Sequence, residues 1–259
     1  MKRVVPFEGP IKLEGFNNLT KALSFNLYDF CVARNEAERE SYVKYIYDKF
    51  SAKKVTGILT GICDIIEANV LAVSDQDYDP WGASSLVLMS DIKGSGVSGM
   101  TEVKMHLDKS HICAHTYPDF RADGQVCSFR IDIDIATCGE ISPLNALNYM
   151  FEACEADVVI ADYVVRGYTR DTAGRRVFMD HDLRSIQEYI DPKILEQYHC
   201  VDLSLQSENI WQTKMMRTKM DERTYFIENA PVDLDSAETR KYLDMVKNEM
   251  RGLVYQWPE

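Results

Sequence analysis

Residues 126–137 read VCSFRIDIDIAT, and the fold is decided there. Ile131, Ile133 and Ile135 alternate with Asp132 and Asp134. A period of two predicts a strand with one apolar and one wet face, which belongs to a sheet covered on one side only. Working outward, residues 110–117 (SHICAHTY) read as a neighbouring strand, with Arg121-Ala122-Asp123-Gly124 as the turn between the two. Further strands are expected at 22–30, 68–74, 83–90 and 157–166. Helices are expected after Asn35, where Tyr42, Ile46 and Phe50 recur at four-residue spacing, and at 55–67. Ser142-Pro143 places a capping residue and a first-turn proline before another helix, SPLNALNYMFEACEA. Shorter helical patterns cover 183–190 and 236–250, the latter starting at Ser236. Residues 91–104, rich in Gly and Ser, read as a loop, not a domain linker. Together these predict one α+β domain over 1–259, an antiparallel-rich sheet with helices on one face.

A chain of 259 residues with 46% hydrophobic residues can bury a core without staples. Its 41 acidic and 29 basic residues give a net charge of −12, which argues against nucleic acid and anionic membranes as partners. No apolar run approaches the ~20 residues of a spanning helix, and the N-terminus lacks a signal-peptide stretch. Seven scattered cysteines without a CxxC read as reduced thiols of a cytoplasmic protein.

Three of the five histidines, His106, His111 and His115, lie within ten residues. On a strand, however, positions i and i+4 are roughly 13 Å apart, too far for one ion, and no metal site is expected. Ser110 beside His111 and His115 suggests nucleophilic chemistry but lacks a G-x-S-x-G elbow. Cys138 ends a strand before Gly139, as a reactive thiol or as a small buried hydrophobe. The turn Tyr78-Asp79-Pro80-Trp81-Gly82-Ala83-Ser84 feeds a strand with aromatics.

These stretches together resemble the S-adenosylmethionine decarboxylase proenzymes in their long bacterial form. The resemblance is carried by GFNNLTK (15–21), Asp77-Tyr78 with Gly82-Ala83-Ser84, HLDKSHICAHTYP (106–118), TCGEISPLNALNY (137–149) and RGYTRD (166–171). Glu208-Asn209-Ile210 and Thr213-Lys214-Met215-Met216 extend it. It implies a two-layer sandwich and self-cleavage between Lys109 and Ser110, giving a β chain 1–109 and an α chain 110–259. Ser110 would become a pyruvoyl group that forms a Schiff base with the substrate amine and replaces a bound coenzyme. Ser84 and His115 would assist processing, and Cys138 would be the proton donor of the decarboxylation. Tyr78 and Tyr117 would stack on adenine and Asp119 would hold the ribose. The family commonly carries Glu at that last position, so the shorter Asp119 needs a backbone shift or a bridging water.

The implied activity is decarboxylation of S-adenosylmethionine to the aminopropyl donor of spermidine and polyamine synthesis. A homo-oligomer of αβ units is expected, and Mg²⁺ stimulation without a nameable site. Residues 175–259 form an extension without an assigned role. Two other readings compete: a pyruvoyl-dependent arginine or ornithine decarboxylase, opposed by Tyr78 and Tyr117, and an uncleaved regulatory relative, opposed by the full set Ser84, Ser110, His115 and Cys138.

Overall fold

The computed structural model describes residues 19–90, 109–119, 125–138, 141–170, 173–227 and 232–257. The expected loop at 91–104, the turn at 121–124 and motif positions 15–18, 106–108, 139, 140 and 171, His106 among them, lie outside the described residues, as do the Lys109 and Arg170 side chains.

The chain runs β1 (Thr20–Val32), α1 (Glu36–Phe50), α2 (Ala52–Ile65), β2 (Asn69–Asp77), β3 (Ala83–Ser90), β4 (Lys109–Asp119) and β5 (Val126–Cys138). It continues through a 3₁₀ turn (Pro143–Ala146), α3 (Leu147–Cys154), β6 (Val158–Arg166) and a small hairpin of β7 (Thr169–Arg170) and β8 (Arg176–Val177). A short α4 (Pro192–Leu195), β9 (Tyr198–Leu205), β10 (Ile210–Arg217) and α5 (Ala237–Tyr255) complete it. Eight strands form one sheet in the order β2-β3-β4-β5-β1-β6-β10-β9, and every neighbouring pair is antiparallel.

The isoleucines of β5 are buried against the helix layer, together with Leu23, Phe25 and Leu27 of β1 and Ile112 and Ala114 of β4. Val55, Leu59 and Ile62 of α2 and Leu147, Met150 and Phe151 of α3 meet them. Each of the larger side chains removed from water contributes about 1.5–3 kcal/mol. Local chemistry sets the helix ends. Asn35 accepts from the Glu38 N–H at 3.1 Å, as the pattern predicts. The first residue of α2, Ala52, donates its N–H to the Asp77 carboxylate at 2.7 Å, which ties α2 to the end of β2.

Three expectations change. Ser142 makes no capping hydrogen bond, because the segment begins as a tight 3₁₀ turn in which Asn145 N–H reaches the Ser142 carbonyl instead. The helix expected at 183–190 is a single 3₁₀ turn at Ile186–Tyr189. Asp191 precedes Pro192, which disfavours helical backbone there. The extension at 175–259, which had no expected strands, is part of the sheet: β9 and β10 continue it beyond β6.

The last helix adds a partial third layer. Tyr242, Leu243, Val246, Met250 and Val254 of α5 form a second core with Phe30 and Val158, against which Tyr28, Ile160 and Met216 pack. Those last three occupy the wet-face positions of their strands, so α5 covers the β1–β6–β10 part of the face opposite α1–α3. Lys214 fixes it by donating to the Val254 carbonyl at 3.1 Å.

Candidate active site

The expected residues fall into two groups, both centred on β4. The first is at its start. Ser110 is 1% exposed, and its Oγ accepts the Cys138 N–H at 3.0 Å. The β4–β5 ladder pairs His111 with Ala136, so one further step sets Ser110 beside Thr137. Here a side chain takes the place of the next ladder partner. Cys138 turns its thiol to the free face, 3.8 Å from Thr20 Oγ1.

The second group lies on the free face near the other end of β4. Ser84 is opposite His115, His115 opposite Asp132, and Asp132 opposite Asn26, one row across four strands. Tyr78 donates its hydroxyl to Ser84 Oγ at 2.8 Å. The ring of Tyr117 lies 6.4 Å from that of His115, and Asp119 follows two residues on along the same face. The pairing is set from the helix side by Thr116, whose Oγ1 accepts the Ala83 N–H at 2.7 Å. Gly82, at φ +107°, returns the chain in a turn where its carbonyl accepts from the Tyr78 N–H at 2.9 Å. A β-carbon there would come within 3.1 Å of the Thr116 carbonyl oxygen.

Two residues join this group without having been expected. The Arg130 guanidinium stacks on the Tyr117 ring at 4.2 Å and pairs with Asp132 at 3.0 Å. Burial pushes the Asp132 carboxyl up, against the opposing pull of Arg130. The signal was present in the RIDID alternation, but only the register shows that Arg130 is opposite Tyr117.

The two groups are not brought together within one chain. Five steps along β4 separate Ser110 from His115, about 16 Å at the rise of a strand, and the odd spacing puts them on opposite faces. Among the described residues no three His, Cys, Asp or Glu side chains gather to hold a metal ion.

A buried serine fixed by a neighbouring strand, with a thiol, an imidazole and two tyrosines displayed on the sheet, brings together side chains of the types that nucleophilic and acid–base chemistry uses, on an α+β fold. A family model described as S-adenosylmethionine decarboxylase matches residues 44–167. An S-adenosylmethionine decarboxylase proenzyme of Photorhabdus laumondii is 43% identical over 95% of this chain and 96% of its own. Proenzymes of the same name from Clostridium acetobutylicum (43%, covering 97% and 96%) and Xanthomonas euvesicatoria (45%, covering 95% of each) match equally well. The chain belongs to the S-adenosylmethionine decarboxylase family. A solved adenosylmethionine decarboxylase from Aquifex aeolicus overlaps 65% of this chain at 15% identity with a TM-score of 0.35, too slight a likeness to argue from.

Proposed function

We propose that this chain cleaves itself between Lys109 and Ser110 and then decarboxylates S-adenosylmethionine, yielding the aminopropyl donor for polyamine synthesis. The observation that carries it is the Ser110 hydroxyl, buried and oriented by the Cys138 N–H at the cleavage position. A pyruvoyl group made from Ser110 supplies an electrophilic carbonyl that captures the substrate amine and accepts the electrons left when CO₂ departs. The site suits that group: Ser110 is enclosed, and the Cys138 N–H already donates to its side chain. Cys138 returns a proton to the substrate Cα from the free face of the sheet. Tyr78 and Tyr117 bind the adenine, and their rings also suit a sulfonium. Asp119 holds the ribose, and Ser84 with His115 serves the processing chemistry.

The separation of the two groups bears on assembly. In a homo-oligomer whose free sheet faces meet about a two-fold axis, the Tyr78–Ser84–His115–Tyr117 group of one copy lies over the Cys138 thiol of the other. The seven free cysteines suit the reducing cytoplasm. No step is assigned to Mg²⁺.

The denatured mass spectrum is the test. Two chains, 1–109 and a 110–259 chain with a ketone in place of its amino terminus, are expected, with Ser110→Ala remaining whole. A chain that stays intact on incubation overturns the proposal. CO₂ release from arginine but not from S-adenosylmethionine would overturn the substrate assignment alone.

A further inference from the structure

The helix-side face of the sheet carries a charged group that the processing chemistry above does not use. Met89 pairs with Ser110, Thr137 follows in the continued register, Thr137 pairs with Lys21, and Lys21 pairs with Val165. In this row Lys21 is the one ionisable side chain, two strands from Ser110. It is 2% exposed, and its Nζ meets Asp180 Oδ2 at 2.6 Å. Asp180 Oδ1 is 2.7 Å from His181 Nδ1, and His181 Nε2 is 3.3 Å from the buried Tyr163 hydroxyl. Burial pushes the Asp180 carboxyl up, yet the hydrogen bonds from His181 and Lys21 outweigh it and bring it down to about 2. A cavity of about 440 Å³, lined in part by Asp180, His181, Gln206 and Trp211, opens beside this chain of groups.

A buried lysine is costly unless it is paired and hydrogen-bonded. Here a loop 159 residues away in sequence supplies the partner, and His181 and Tyr163 hold that partner in place. In the register Lys21 stands at the end of the sheet where the Lys109–Ser110 bond lies, two strands away. Thr137 stands between the two in that row: its hydroxyl donates to the Ile141 carbonyl at 3.0 Å and reaches the Lys21 carbonyl only at 3.4 Å, and the next residue, Cys138, donates its N–H to Ser110 Oγ.

We propose that Lys21, held by Asp180 and His181, is a positioning residue for self-cleavage at Lys109–Ser110, and this rests on the self-cleavage reading above. The first step forms a bond from Ser110 Oγ to the Lys109 carbonyl carbon as the π pair moves onto the carbonyl oxygen. The C–N bond breaks when that pair returns, and the hydroxyl proton ends on the Ser110 nitrogen. An amide becomes an ester and an amine, with nothing gained or lost. The intermediate carries a new negative charge in a dry setting, where a fixed cation in the same row favours it.

The test follows the appearance of the two chains over time in Lys21→Met, Lys21→Arg and Asp180→Asn, with thermal unfolding of each. Lys21→Met is expected to cleave at least about tenfold more slowly, and Lys21→Arg to stay within about threefold of the unsubstituted chain. Asp180→Asn keeps a hydrogen-bonding amide but deletes the counter-charge, so it is expected to cleave at least as fast. A purely structural ion pair would slow in both Lys21→Met and Asp180→Asn, and that result overturns the proposal. Cleavage of Lys21→Met at the unsubstituted rate overturns it too. Where Lys21→Met does not accumulate folded, the neutral pair Lys21→Met/Asp180→Asn at an unchanged Tm carries the same expectation of slow cleavage, and normal cleavage by that pair counts against it. An unsubstituted chain that never cleaves removes the parent reading, which separates the two failures.

Discussion

Cys138 serves the site through two different atoms. Its amide orients Ser110, while its thiol faces the free side of the sheet near Thr20. Cys138→Ala keeps the first and deletes the second. We expect this variant to split into two chains normally and then to lose about 10²-fold or more in turnover, measured as CO₂ release from S-adenosylmethionine. A second residue-scale prediction concerns Asp29. Burial, and then the charge of Asp157, raise its carboxyl to about 8, against the opposing effect of Lys49. Asp157 is itself committed, accepting from the Phe30 N–H and the Tyr225 hydroxyl at 3.2 Å each. Between about pH 4 and 8 the folded chain therefore holds a proton that the unfolded chain has released. Stability falls as pH rises through this window and levels off above it. Asp29→Asn should flatten that decline, so that its Tm changes less between pH 5 and pH 8 than that of the unsubstituted protein.

At the scale of elements, the turn between β2 and β3 and the helix caps carry the predictions. Alanine at Gly82 meets both an unfavourable φ and the Thr116 carbonyl. The strain falls on Tyr78 and Ser84, so Gly82→Ala should raise KM for S-adenosylmethionine severalfold more than it lowers kcat. Asn35→Ala, far from the site, should cost about 1 kcal/mol of stability in a urea melt and leave turnover unchanged. The strands that pair early in the chain were legible because burial imposes a strict period of two, as in Ile131, Ile133 and Ile135. β9 and β10 were not. β9 is an edge strand with Asp202, Leu203, Ser204 and Leu205 all exposed, so no burial pattern marks it. In β10, Gln212 and Lys214 stand on a face that α5 later covers. The site divides in the same way. Ser110, Ser84, His115 and Cys138 stood in motifs that could be read along the chain. Arg130, Asp132, Lys21 and Asp180 take their meaning from partners in distant strands and loops, and no local spacing encodes those.

For the whole molecule, the two groups on β4 make a prediction about assembly. Tyr117→Ala spoils one group and Cys138→Ala the other. If each working site takes one group from each of two copies, mixing the two inactive variants under conditions of subunit exchange should restore about a quarter of the sites. Activity that stays absent in verified hybrids would place both groups' work within a single copy. Residues before the proposed cut supply β2, β3 and β1, and residues after it supply β4, β5, β6, β10 and β9. β1 lies between β5 and β6, so the two product chains are interleaved, not set side by side. Neither can depart without tearing a ladder on both flanks of β1. The ladder must also be woven before the bond is cut, because afterwards the same weave would require two separate molecules to find each other. Recovery of the eight-stranded sheet after denaturation, as distinct from assembly of copies, should therefore depend on protein concentration for the mature enzyme and not for Ser110→Ala: cutting one peptide bond turns a self-sufficient chain into a product that is easy to keep and hard to remake.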